Sequence, residues 1–383
     1  FFLLLFVCAS SLPAEIPSPE KYFGFKPGTD RMLFGYSQLI EYLQVLDSAS
    51  PRFKLIAIGN SPLNQPMYLA FISSEENIRN LEELKTINRQ IAMDGQLSST
   101  QLDELIRAGK VFFLATLSMH SSEVGPTQAY PLIAYDLITT SEPEKIRWLD
   151  NVVYMVVPNH NPDGMNMIVD HYLKYKGTKY ETSTMPGVYH KYVGHDNNRD
   201  FVTLSQQDTK HISRIFSREW YPHVVVEKHQ MGSYSARYFV PPAHDPIAEN
   251  IDADLWAWTK VFGANMLTDM TRAGLTGISQ SYLFDSYWPG STETCLFKNA
   301  IGMLTEAASV DIATPIFIEQ NELKGYGKGL SEYKKSINMP APWPGGWWRL
   351  SDIIQYEIAS TLSILKTASL RRADILTFRH ELC

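Results

Sequence analysis

Val111-Phe112-Phe113-Leu114-Ala115-Thr116-Leu117-Ser118-Met119-His120-Ser121-Ser122-Glu123 is the stretch whose reading decides the fold. Its first seven residues are apolar almost without a break, which predicts a strand buried on both faces of a sheet. The polar residues that follow change the register of the argument. His120 and Glu123, three residues apart just past the strand, can turn two metal-binding atoms toward one point. Alone, that spacing is weak and fits an ordinary surface turn equally well. Its meaning depends on what the rest of the chain brings to the same place.

Working outward, other apolar runs alternate with helical patterns. Phe53–Gly59 and Met67–Ile72 read as paired strands joined by turn residues. A helical stretch follows from Glu76 to Ala92, and another begins near Ser99, where Thr100-x-x-Asp103 resembles a capping box and Gly109 closes it. Leu102, Leu105 and Ile106 give that helix one buried face. A helical pattern runs from about Gln128 to Ile138, and Val152–Val157 is a second strand, followed by a long polar and aromatic loop to about Phe201. Gln207–Trp220 is helical, His223–Val226 a strand, Leu255–Ala273 a helix, Ile301–Leu304 a short strand and Asp352–Arg372 a helix. Strands alternating with helices imply a mostly parallel sheet covered on both faces, with its sites past the carboxyl ends of the strands.

Composition narrows the class. Apolar residues make up 44% and charged residues 20% of the 383, the balance of a folded globular chain. A net charge of −7 with no long basic run argues against nucleic acid as a partner. Cys8, Cys295 and Cys383 are too few for a disulfide framework and lack zinc-ribbon spacing. Phe1–Ala9 has the length of a signal-peptide core and is too short to span a bilayer, which takes about 20 residues. The expected organisation is part of a signal peptide over 1–14, a Pro/Gly-rich segment laid over the surface at 15–34, and one catalytic domain over 35–383. A secreted or periplasmic protein without an integral membrane segment follows from that reading.

The sheet-edge rule sorts the candidate chemistry. His120 and Glu123 follow the first strand, and Asn161-Pro162-Asp163-Gly164 the second. His229 follows the third and Glu306 the fourth. A catalytic zinc is commonly held by two His and one Glu, with one position left open. His229, in Glu227-Lys228-His229-Gln230-Met231-Gly232, is the best third ligand because it ends a strand of the same sheet; His223 and His195 are the other histidines nearby in sequence.

In this order, His120-Ser121-Ser122-Glu123, Asn161-Pro162-Asp163-Gly164, Asp196-Asn197-Asn198-Arg199, His229-Gln230-Met231-Gly232 and Leu304-Thr305-Glu306 resemble the zinc carboxypeptidases of the M14 (carboxypeptidase A-like) family. The resemblance covers roughly residues 35 to 370. It implies an α/β/α sandwich around a mixed, mostly parallel eight-stranded sheet. It also implies one Zn2+ per chain, held by His120, Glu123 and His229. By the same match Glu306 is the catalytic base, Asn198 and Arg199 grip the substrate's terminal carboxylate, and Asp196 orients His120. Arg suits that grip because its planar fork binds a carboxylate through two parallel hydrogen bonds. The implied activity is release of C-terminal amino acids from peptides or proteins by a monomer.

One position departs from the family pattern and two others are matched less closely. The Arg expected about a dozen residues after Gly164 is replaced by Lys176, with Lys174 competing for the carbonyl-polarising role. The mobile Tyr that closes over substrate matches Tyr287, with Tyr282 as runner-up. Thr292, beside Glu293, stands near the position that sets side-chain preference. Two other readings remain open at this point: a zinc amidohydrolase acting on N-acyl amino acids or peptidoglycan peptides, and a peptide-binding pseudoenzyme of the same fold. Trp343-Pro344-Gly345-Gly346-Trp347-Trp348 offers an aromatic cluster that packs a loop or contacts a partner.

Overall fold

The computed structural model describes residues 16–189, 195–286 and 290–383. The N-terminal apolar run and Tyr287 lie outside the described residues. The stretch Val111–Leu117 is a strand with all seven residues buried, as its unbroken apolarity requires.

That strand is β3 of twelve among the described residues. The others are β1 (Phe53–Asn60), β2 (Pro66–Ile72), β4 (Val152–Val157), β5 (Val224–Met231), β6 (Tyr238–Phe239), β7 (His244–Ile247), β8 (Ile278–Ser279), β9 (Asp285–Ser286), β10 (Ile301–Ala308), β11 (Ile316–Ile318) and β12 (Gly346–Trp348). Eight of them form the central sheet, in the order β1-β2-β4-β3-β5-β10-β6-β8. The block β4-β3-β5-β10 is parallel throughout, so four carboxyl ends share one edge. Antiparallel neighbours flank it: β1 with β2, β2 with β4, and β6 with β10. β7 pairs with β9 and β11 with β12 in two small ribbons.

Strict alternation along the strands feeds two cores. Val111, Phe113 and Ala115 of β3, with Val224 and Val226 of β5, pack in one cluster with Tyr130, Ile353 and Phe262. Those three belong to the helices Gly125–Thr139, Leu350–Leu370 and Ala253–Arg272. Phe112, Leu114 and Val225 face the other way, toward Ile212, Ile215 and Trp220. Each fully buried large apolar side chain contributes roughly 1.5–3 kcal/mol, so both layers are needed to offset the entropy of ordering the chain.

The structure revises several sequence expectations. Asn161-Pro162-Asp163-Gly164 opens a helix, Pro162–Tyr175, where the sequence suggested a loop. Asn161 is its N-cap, with Oδ1 accepting from Gly164 N–H at 3.0 Å, and Pro162 sits at the first helical position. Asp163 accepts from Ser61 Oγ at 2.6 Å and Leu63 N–H at 2.9 Å, fixing the β1–β2 turn. The stretch after β2 is two helices, Glu75–Arg79 and Leu81–Met93, interrupted at Asn80. The helix Ser99–Ala108 is capped by Ser98 with Gln101, not by Thr100 with Asp103, and Leu102, Leu105 and Ile106 are only half-buried. The segment before residue 35 does more than cover the surface: Leu33 and Phe34 are core residues, and Phe23 stacks on Phe34 at 4.4 Å. Among the described residues no helix is long and apolar enough to cross a membrane.

Candidate metal centre

The chain leaves β3 through Ser118, which takes φ +51°, a conformation that costs a non-glycine residue about 1–3 kcal/mol. Local bonds hold it there. Ser118 Oγ donates to the Glu123 carbonyl at 2.7 Å and accepts from Thr127 N–H at 3.2 Å. The sharp turn swings His120 and Glu123 back over the sheet edge. Neighbouring segments lock the turn from both sides. Gln230, one residue past His229, accepts from Gly125 N–H at 2.7 Å. On the other side Gly164 approaches so closely that a Cβ there would lie 2.2 Å from Ser121 Oγ, which leaves no room for any side chain.

Here the three predicted ligands meet. His120 Nδ1 lies 2.8 Å from Glu123 Oε1, and His229 Nδ1 lies 2.9 Å from Glu123 Oε2. One ligand atom from each residue lies within 4.8 Å of the others, which makes the trio able to hold a metal ion. His120 Nε2 is 2.9 Å from Asp196 Oδ1, and the same oxygen accepts from Asn198 N–H at 2.8 Å. That arrangement gives Nε2 an acceptor and turns the Nδ1 lone pair inward, as a metal ligand requires. Two imidazoles and a carboxylate are also the donor set that suits zinc. The residues fit the group.

Electrostatics describe a tightly coupled charge cluster. Burial works against charge on His120, but Glu123 and the bond to Asp196 outweigh it and push His120 up to about 9. The same competition raises His229 well above its ordinary value and lowers Glu123 despite its burial. Glu306 stands on β10 directly opposite His229 in the parallel register, buried, with Oε2 free of any hydrogen-bond partner. Burial first, and then the negative charge of Glu123, raise Glu306 to about 8; His229 and His120 pull it the other way.

Two cavities flank the cluster. One, of about 140 Å³, lies behind Asn198, Arg199 and Thr292 and is walled by Phe239, Trp256 and Met303. The other, of about 540 Å³, opens beside Glu123 and is lined by Tyr189, Gln230, Glu181 and Asp311. Asn198 is buried, with Oδ1 accepting from Ser291 N–H at 3.3 Å. Arg199 is half-exposed, 3.6 Å from Asp196 Oδ2.

The remaining sequence candidates fall elsewhere. Lys176 caps the helix Pro162–Tyr175, with Nζ against Met32 Sδ at 3.1 Å, and Lys174 lies over the Tyr175 ring. Neither lysine lines either cavity. Tyr282 is buried, its hydroxyl 3.2 Å from Met231 Sδ. Thr292 lines the smaller cavity but spends its hydroxyl on Glu227 Oε2 at 2.7 Å. Of the aromatic cluster, Trp343 and Trp348 pack edge-to-face and both contact the guanidinium of the buried Arg237, while Trp347 stays exposed beside Phe317.

Sequence reasoning passed over three residues here. Tyr189 lines the larger cavity within the field of Glu123 and Asp196. His160, kept neutral by burial that lowers it to about 3, sits beneath the cluster. Glu227 precedes His229 by two residues, a spacing that puts both on one face of β5 and was the readable signal.

The zinc carboxypeptidase family model, Peptidase_M14, matches residues 39–232. The chain belongs to this family. Solved zinc carboxypeptidases share its fold at low identity. Carboxypeptidase A from Helicoverpa armigera is 13% identical with a TM-score of 0.54, over 90% of this chain and 74% of that one. A metallo-carboxypeptidase from Burkholderia cenocepacia is 12% identical with a TM-score of 0.54, over 89% and 70% respectively. Bovine thrombin-activatable fibrinolysis inhibitor, solved with a tick carboxypeptidase inhibitor, is 12% identical with a TM-score of 0.52, over 90% and 98%. No curated protein matches the chain by sequence. The family is zinc-dependent, and the His120–Glu123–His229 trio of this member is where a metal can bind.

Proposed function

We propose that the chain is a secreted zinc carboxypeptidase that removes C-terminal residues from peptides, with one zinc held by His120, Glu123 and His229. One observation carries the reading: a buried carboxylate, Glu306, faces the third ligand of the trio across one strand spacing, beside a cavity mouthed by Asn198 and Arg199. Zinc, when bound, supplies positive charge that polarises a carbonyl and acidifies water.

The chain's own groups do the rest. Positive charge at the trio lowers Glu306 in the same sense as the two histidines already do, which readies it to accept a proton from the attacking water. Glu306 then delivers that proton to the leaving amine nitrogen. Arg199 receives the terminal carboxylate in its fork, and Asn198, whose Oδ1 is occupied by Ser291, offers its amide hydrogens. Asp196 holds His120 in the tautomer that binds metal. Tyr287 serves as the closing side chain, and Lys176 or Lys174 reaches the carbonyl only if the end of its helix moves inward on binding.

The smaller cavity takes the substrate's last side chain. Its acids offer little free charge: burial pushes Glu293 up to about 8, and Asp285 lies 3.5 Å from Lys328 Nζ. Its walls, Phe239, Trp256, Leu296 and Met303, are apolar. Thr292 closes one side.

Peptides with free and amidated C-termini test the reading. The free peptide is expected to be cleaved at least ~10-fold faster in kcat/KM, since an amide leaves the Arg199 site without its charge partner. Chelation should abolish cleavage and zinc restore it. Equal cleavage of both peptides sinks the carboxypeptidase assignment. In a panel varying only the last residue, apolar side chains are expected to exceed Lys and Arg by ~10-fold or more; a preference for Lys or Arg would show that Glu293 faces substrate.

A further inference from the structure

β5 carries a second carboxylate toward the metal centre. Glu227 and His229 are separated by one residue, so their side chains leave the same face of the strand, and both are 1% exposed. Glu227 is fixed from behind. Thr292 donates to its Oε2 twice, from Oγ1 at 2.7 Å and from N–H at 3.2 Å. Ser291 also lies against this carboxylate. Its other oxygen, Oε1, has no hydrogen-bond partner and faces His229 Nε2 across 3.9 Å. That nitrogen is likewise buried and unpartnered, while Nδ1 on the far side of the ring points to Glu123.

An acceptor and a donor, each buried and each unsatisfied, confront one another. Leaving both unmade is unfavourable, because neither can turn to water. The gap exceeds a hydrogen bond by less than 1 Å, which a small ring rotation closes. The pair Asp196–His120 on the opposite side of the centre shows the same logic already closed at 2.9 Å.

We propose that Glu227 is a positioning residue for His229: its Oε1 accepts the Nε2 proton and so keeps the Nδ1 lone pair aimed at the metal, with Thr292 as its anchor. This rests on His229 being a ligand, and the experiment separates the two claims. Zinc affinity is measured by chelator competition for the wild type, Glu227→Gln, Thr292→Val and His229→Ala, together with imidazole 15N–1H spectra of the zinc-loaded proteins. In Glu227→Gln the amide oxygen remains for Thr292 and the amide nitrogen, a donor, confronts Nε2. Affinity is expected to fall ~10–100-fold, and the Nε2-bound proton of His229 should lose its protected signal.

Thr292→Val keeps the carboxylate but frees Oε2. It is expected to lose a smaller factor and to shift the same proton signal, which keeps the proposal testable where Glu227→Gln folds poorly. His229→Ala should lose stoichiometric zinc altogether. Wild-type affinity with an unchanged Nε2 signal in both Glu227→Gln and Thr292→Val overturns the role of Glu227 while leaving His229 as ligand. Full zinc binding by His229→Ala overturns the ligand assignment itself.

Discussion

Replacement of Glu306 by Gln is expected to lower kcat by ~10²–10⁴-fold, the range a positioned proton-transfer group contributes, with zinc content and KM close to wild type. Gln has the same volume and keeps a hydrogen-bonding head, so the buried slot on β10 stays filled. What it cannot do is take a proton from water and pass it on. Burial and the neighbouring Glu123 raise Glu306 to about 8, and the histidines beside it pull it back toward the ionised form, the form that can take a proton from water. Steady-state kinetics normalised to measured zinc per chain give the answer. A variant that retains activity within a few-fold, at full metal occupancy, removes Glu306 from the reaction.

The second large effect concerns stability. Lys228 lies between Glu227 and His229 in sequence but points through the sheet to the opposite layer. There its Nζ donates to Glu357 Oε2 at 2.7 Å and to Ser360 Oγ at 2.8 Å, with Tyr238 OH at 3.4 Å. Both charges are almost wholly buried, at 2% and 1% side-chain exposure. Burial lowers the lysine and raises the glutamate, each toward its neutral form, and the attraction between them only partly offsets this. Such a pair adds little net stability, yet losing one member strands the other. Lys228→Met is therefore expected to destabilise the fold by about 3–5 kcal/mol, read by denaturant unfolding of the metal-free protein. The double replacement Lys228→Met with Glu357→Leu should recover most of that loss. A single variant as stable as wild type would mean that Glu357 finds water or a proton at little cost.

The parts of the fold that were legible from sequence share one cause. β3 and β4 are buried on both faces, so their apolar runs are long and survive inspection without a structure, whereas β5 shows only Val224–Val226 before its polar residues begin. β6 and β8, two residues each, carry no period at all, and their place in the sheet comes from tertiary pairing. The helix Pro162–Tyr175 was hidden by its own start, since Asn161-Pro162-Asp163-Gly164 reads as a turn until Pro162 is recognised as a first helical residue. The site divides along the same line. His120, Glu123, His229 and Glu306 are held at or near strand ends, and a strand end can be read from a pattern. Lys176 was placed by counting along a connection, and counting presumes a path that the Pro162–Tyr175 helix does not take. Glu227 was overlooked because an acid among valines looks like the solvent side of a strand, whereas here that side is covered by Ser291 and Thr292.

The pairing of Glu306 with His229 across β5 and β10 bears on how this chain tolerates change in length. Between those strands in sequence, β6 and β8 join the same sheet, and Phe239 of β6 pairs with Glu306 itself, so added length is accommodated only in the connections between elements. A single residue added inside β5 or β10 shifts every later side chain to the other face of the sheet. Added just before His229, it would itself take the imidazole's place and turn His229 toward the layer built for the Lys228–Glu357 pair. Within β5 and β10, strands of eight residues each, lengthening is not accommodated. An insertion ahead of His229 in β5 displaces a proposed ligand, and one ahead of Glu306 in β10 displaces the proposed base.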